Sequence, residues 1–201
     1  MIPRVEFVYS DTYDGVLFSL AGRKWNEKYM KSTARLIKLF EKNWRRIEKK
    51  VLSEMAMATG LRWREKKITC FIVNCGIPFS YPLTMQLAMG GRKMSNEQII
   101  DILVHELIHI LLFTNGVHKI GRLWSDFRDE PFNVKVHIYT YAVHEHLLLK
   151  FFGERRLKKE IEKAIWLDKT VQYGFSKAWE IVDEYGYENL LKEVRNAAKG
   201  R

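Results

Sequence analysis

The stretch from Ile99 to Phe113, IIDILVHELIHILLF, leaves this chain the fewest choices. Apolar residues fall on every side of a helix of that length, so the helix is predicted to be buried, with the remainder built around it. Ser95 followed three residues later by Gln98 forms a capping box that opens it, and Asn115-Gly116 suits the left-handed residue that closes it. Asp101, His105, Glu106 and His109 interrupt the apolar run. A bilayer span needs about 18 largely uninterrupted apolar residues, so no membrane span is expected. Inside a dry helix each unpartnered polar group costs about 1 to 3 kcal/mol, so these four need either partners or a purpose.

The surrounding pattern predicts a mainly helical α+β fold. Val5–Tyr9 and Val16–Leu20 flank the turn-forming run from Ser10 to Gly15 and are expected to form a small hairpin. From Arg23 to Thr59, Trp25, Tyr29, Leu36, Phe40, Trp44, Ile47, Val51 and Met55 make one apolar stripe on a long helix closed by Gly60. Two strands are expected at Ile68–Asn74 and Leu83–Met89, with Gly90-Gly91 ending the second. A helix starting at Pro131 should run to Phe152, just before Gly153, followed by two or three short amphipathic helices punctuated by Gly174 and Gly186. Residues 1–153 are expected to form the main domain and 154–201 a helical extension packed on it.

The formal charge of +10 is not spread evenly, because the stretch from Arg23 to Lys67 carries all of it and the remainder is neutral. A solvated helix face accounts for such a cluster, and it also permits weak contact with nucleic acid or an acidic partner. The first residues, MIPRVEFVYSD, lack the plan of a secretory signal, and two cysteines are too few for a disulfide framework. A cytoplasmic location is expected. Cys70 and Cys75 are expected to be buried thiols.

His105-Glu106-Leu107-Ile108-His109 is an HExxH pattern. Residues four apart share a helix face, so both imidazoles can reach one zinc ion, while Glu106 can take a proton from a zinc-activated water. Composition alone produces this pattern in on the order of one in a couple of hundred chains of this length, before a capped, buried helix is required as well. A catalytic zinc needs a third protein ligand and an open position. The metzincin pattern is excluded, since Leu112 stands where it needs glycine and Asn115 where it needs histidine. His118 follows the Asn-Gly cap directly and is a weak candidate.

The helix after Pro131 offers more. His137 and His144 share a stripe, but seven residues rise by about 10 Å, so one ion cannot take both. Val134, Ile138 and Ala142 form an adjoining stripe suited to close helix contact, which favours His137. Glu130, 21 residues after His109, is the rival ligand, and a helix cap is its ordinary role; Glu145 and His144 follow, with His144 and His146 otherwise expected at the surface.

With these residues the chain resembles the zincin metallopeptidases of the gluzincin type, especially the small archaeal minigluzincins. The resemblance covers roughly Lys24 to Phe152 and implies a long backing helix, a small antiparallel sheet, the HExxH helix and a following ligand helix. It implies a zinc hydrolase that cleaves peptide or protein substrates, with His105 and His109 as ligands and Glu106 as general base and acid. Leu83–Met89 would be the edge strand pairing with an extended peptide, Tyr139, Tyr141 or His144 would steady the oxyanion, and the tail would cover the cleft or complete the core. That group uses a glutamate as third ligand, which keeps Glu130 as the alternative to His137. The alternative is a basic nucleic-acid-binding protein with a structural zinc site, distinguished by four protein ligands instead of three.

Overall fold

Ser10 turns the first strand into a helix. Strand β1 (Arg4–Tyr9) ends at Ser10, whose extended backbone and side-chain oxygen, accepting from the Tyr13 amide, cap helix α1 (Asp11–Leu20). Asp11 and Asp14 then stand in the first turn, where carboxylates complement the helix dipole. The expected hairpin is therefore corrected: Gly15 lies inside α1, and the cap outweighs it as a local signal. A computed structural model describes residues 1–89, 92–119 and 125–199, so the expected Gly90-Gly91 stop lies outside the described residues.

The long basic helix is two helices, α2 (Lys28–Arg45) and α3 (Glu48–Thr59). At the corner the Arg46 and Ile47 amides reach back only three residues, to the carbonyls of Asn43 and Trp44. The Glu48 carboxylate sits there, accepting from the Val5 amide at 2.7 Å, Trp44 Nε1 at 3.0 Å and Arg45 Nη1 at 2.7 Å. Gly60, with φ +69°, closes α3 as expected.

Contacts divide the chain into two units, Met1–Leu52 with Glu65–Ile110, and Ser53–Arg64 with Leu111–Arg201. The first holds a four-stranded sheet in the order β1-β2-β4-β3, where β2 is Lys67–Val73, β3 Phe79–Ser80 and β4 Leu83–Gln86. β1 pairs parallel with β2 from Arg4↔Lys67 to Tyr9↔Ile72, β2 pairs parallel with β4, and β3 alone runs antiparallel. The sheet is thus mixed and not antiparallel, because helical connection between β1 and β2 permits the parallel pairing a tight turn forbids. Strand β4 lies between β2 and β3, which corrects its expected place at the edge; β5 (Ala88–Met89) and β6 (Arg92–Lys93) form a separate ladder. Thr33, Ile37, Phe40 and Trp44 are the buried stripe of α2, and Phe40 meets Phe7 of β1 edge to face at 5.2 Å. Asp14, fully buried, accepts from the Asn74 amide, Asn74 Nδ2 and the Tyr9 hydroxyl, tying α1 to the end of β2.

Helix α4 (Asn96–Thr114) begins at the expected capping box: the Ser95 amide donates to Gln98 Oε1 at 2.9 Å and the Gln98 amide to Ser95 Oγ at 3.2 Å. It ends at Gly116, φ +61°. Leu103, Leu107, Ile108 and Leu111 are fully buried, as the all-round apolar pattern requires.

The second unit gathers α5 (Phe132–Phe151), α6 (Glu154–Val171), α7 (Phe175–Tyr185) and α8 (Tyr187–Lys199). Its core includes Ile138, Ala142, Leu147, Leu148, Val182 and Leu190, and Tyr141 stacks on Trp179 at 4.3 Å. Asp168 organises the turn into α7 by accepting from the amides of Gly174, Phe175 and Ser176. Among the described residues no helix is long and apolar enough to cross a membrane.

Candidate metal centre

The four-residue spacing does on α4 what it promises. His105 Nε2 and His109 Nε2 lie 3.1 Å apart, with the rings edge to face at 4.7 Å. Two nitrogens bound tetrahedrally at about 2.0–2.1 Å from one zinc ion stand roughly 3.3 Å apart, so the pair fits that ion's demand. His109 is buried and His105 half-buried.

Glu106 is buried, and its Oε2 accepts from the Ser80 hydroxyl at 2.6 Å. Ser80 therefore fixes the carboxylate from β3. The sequence carries no signal for this, because Ser80 stands between the two expected strands, flanked by Pro78 and Pro82, which disfavour regular structure, and only the β3–β4 pairing brings it to α4.

On α5, His137 Nδ1 lies 2.7 Å from the Asn133 carbonyl, to which it donates, leaving Nε2 as the acceptor nitrogen. Burial holds the ring's pKa below the usual histidine value, the Asn133 bond and Asp168 opposing it, so the ring stays neutral as a ligand must. Phe175 packs edge-on against it at 4.9 Å. The ligand nitrogens of His105, His109 and His137 all lie within 4.8 Å of one another, a group able to hold a metal ion.

Glu130 is not in that group, nor does it cap α5: the helix starts after Pro131 with no side-chain cap, its first bond running from the Lys135 amide to the Pro131 carbonyl. The fixed φ of Pro131 makes a capping carboxylate unnecessary there. His118 stacks on Phe113 in a 3-10 turn. His144 and His146 are not surface residues: His144 is fully buried with its pKa pushed down to about 4 by burial, and His146 meets Glu54 Oε1 at 2.8 Å. Burial raises the Glu145 carboxyl to about 7, helped by Asp183. The Tyr139 hydroxyl donates to Glu193 at 2.9 Å, which commits it to the helix packing.

Cys70 and Cys75 are buried free thiols, and burial, with the nearby Glu106 charge, pushes the Cys70 thiol far above its ordinary range. It is no thiolate ligand. Among the described residues the metal-holding group has three members, short of the four that close a structural zinc site. Arg45, counted with the basic face, is engaged by Glu41, Glu48 and the Val5 carbonyl, whereas Lys38, Lys42, Arg46, Lys49 and Lys50 are exposed. No family model, curated protein or solved structure matches the chain.

Proposed function

We propose that the chain is a zinc-dependent peptidase of the zincin type. The observation that carries this is the pair of imidazole nitrogens 3.1 Å apart on a buried helix, with Glu106 next to one of them and oriented by Ser80. His105, His109 and His137 would hold the ion. A zinc ion there would act as a Lewis acid, polarising a peptide carbonyl and lowering the pKa of water.

The chain supplies the rest. Glu106 takes the proton of the attacking water and returns it to the departing amine, its carboxylate oriented by the Ser80 hydroxyl at Oε2. Burial on α4 keeps this carboxylate from swinging into solvent. Strand β3, at the end of the sheet, carries Ser80 and is the strand along which an extended peptide would lie. A third histidine departs from the glutamate of the gluzincin pattern, so the reading rests on zincin chemistry in general; three histidines are an established catalytic zinc set.

The test is a mixed peptide library incubated with the zinc-loaded full chain and with Glu106→Gln. The parent should cleave, and the variant should keep zinc and fold but lose turnover by ~10²- to 10⁴-fold. Equal cleavage by both, or none by the zinc-loaded parent, defeats the proposal.

A further inference from the structure

A second concave site lies wholly within the unit that contains α5 to α8. After Gly60 residues Leu61 to Arg64 have no regular secondary structure, and burial alternates along them, with Leu61 and Trp63 inside and Arg62 and Arg64 outside. On α8 the spacing of three and four puts Arg195, Ala198 and Lys199 on one face, beside the buried stripe of Leu190, Leu191 and Val194. These two surfaces wall a cavity of about 500 Å³, with Asn115 and Gly60 completing it.

The walls are held before any ligand arrives. Asn115 Nδ2 donates to the Arg62 carbonyl at 2.9 Å, tying the 61–64 wall to the residue that follows α4, and Arg195 Nη1 donates to the Ala58 carbonyl at 2.7 Å, tying α8 to the end of α3. Gly60 has φ +69°, a backbone conformation that favours glycine, and Arg195 lies in van der Waals reach of this turn.

Among the described residues three guanidinium groups and one ammonium line the cavity, and no carboxylate does. Among the described residues none of the four cations is in an ion pair. Like charges gathered on a concave wall repel one another and concentrate the field, an arrangement that favours an anion carrying several charges. Guanidinium forks match the paired oxygens of phosphate groups. Among the described residues no aromatic side chain lines the cavity, so a base finds no described platform to stack on, and Leu61 and Ala198 give too little apolar surface for a lipid chain.

We infer that the cavity between Arg62-Arg64 and Arg195-Lys199 binds a compact, multiply phosphorylated small molecule through its phosphates. Recognition is by the phosphate cluster, whether that is free polyphosphate or the phosphate tail of a nucleotide. This site is independent of the metal centre.

Calorimetric titration of the full chain with tripolyphosphate should give one site per chain, weakening as salt rises. ATP should bind no more tightly than tripolyphosphate, since recognition is through the phosphates; clearly tighter ATP binding would overturn recognition by the phosphates alone. Arg62→Gln with Arg64→Gln, both exposed in the parent and therefore compatible with folding, should weaken binding by at least about tenfold, and Lys199→Gln by a smaller factor. Neutralising Lys38 and Lys42 on α2 should change nothing. No binding, equal loss on neutralising α2, or a short single-stranded oligonucleotide binding more tightly than tripolyphosphate through Arg62 and Arg64 would each overturn the inference.

Discussion

Helices α2 and α4 are similar in length and opposite in what their polar residues mean. On α2 the charges stand in water opposite the stripe of Thr33, Ile37, Phe40 and Trp44, and solvation alone explains them. On α4, Asp101, Glu106 and His109 are all at or below 8% exposure, where solvation explains nothing. A charge that costs nothing carries little information, whereas a polar group kept in a dry helix must be answered by a partner or a ligand. Arg45 shows the same rule within α2, for it is the cation there with a described network of carboxylates and a backbone carbonyl around it.

The largest effect expected from this contrast is on metal binding. His105→Ala with His109→Ala should abolish stoichiometric zinc, read by competition with a chromophoric chelator; retention at high affinity would make the α4 histidines ordinary core residues. In the same assay His137→Ala should weaken zinc strongly and Glu130→Ala should not. The reverse outcome would restore the glutamate ligand of the gluzincin pattern and remove α5's histidine from the site.

Next in size is a pH effect on a buried polar group outside the metal-holding group. The His144 ring titrates at about 4 in the folded chain against 6.5 as its ordinary value, because burial disfavours the charged form. The unfolded chain therefore binds a proton first as pH falls. Stability supplied by the neutral ring is full above the ordinary value and is lost as pH falls toward the folded one, by about 2 kcal/mol between roughly pH 7 and pH 5. Glu145, raised to about 7, has the opposite sign, its contribution being lost as pH rises from the ordinary carboxyl value. The quantity to measure is thus the difference in denaturant unfolding energy between the parent and His144→Phe, which cancels Glu145. A pH-independent difference would contradict the buried neutral ring.

How much of this was legible depended on how local each signal was. The capping box, the Gly116 stop and the HExxH face of α4 all lie within a few residues of what they determine, and the structure has them as the sequence implied. The switch at Ser10 was local too, but a run of turn-forming residues through Gly15 spoke for a hairpin, and only the cap bond to the Tyr13 amide settles which wins. Non-local facts were out of reach. The interior position of β4 needs β3 folded back on it, the role of Ser80 depends on that pairing, and the sequestration of Arg45 depends on β1 arriving at the α2–α3 corner.

Smaller effects sharpen the contrast further. Ser80→Ala should leave zinc in place and lower peptide turnover by about tenfold, the scale of one hydrogen bond to a charged group. Unchanged turnover would reduce Ser80 to packing. Replacing Lys38, Lys42, Arg46 and Lys49 together by glutamine should have the least effect, each contributing within about 0.5 kcal/mol in stability and none altering hydrolysis. Loss of activity would show that the exposed face of α2 takes part in substrate capture.

The parallel pairing of β1 with β2 has a consequence for the order in which the molecule assembles. Arg4 must wait for Lys67, so β1 has no strand neighbour until about 60 residues later, and closing a loop of that length costs on the order of 4 kcal/mol in chain entropy before any ladder bond forms. Helices α1 and α2 can form locally in the meantime, but β1 stays an open edge until β2 leaves the ribosome. Glu48, which accepts the Val5 amide, lies between the two strands in the chain, so the α2–α3 corner can hold β1 early and shorten the remaining search.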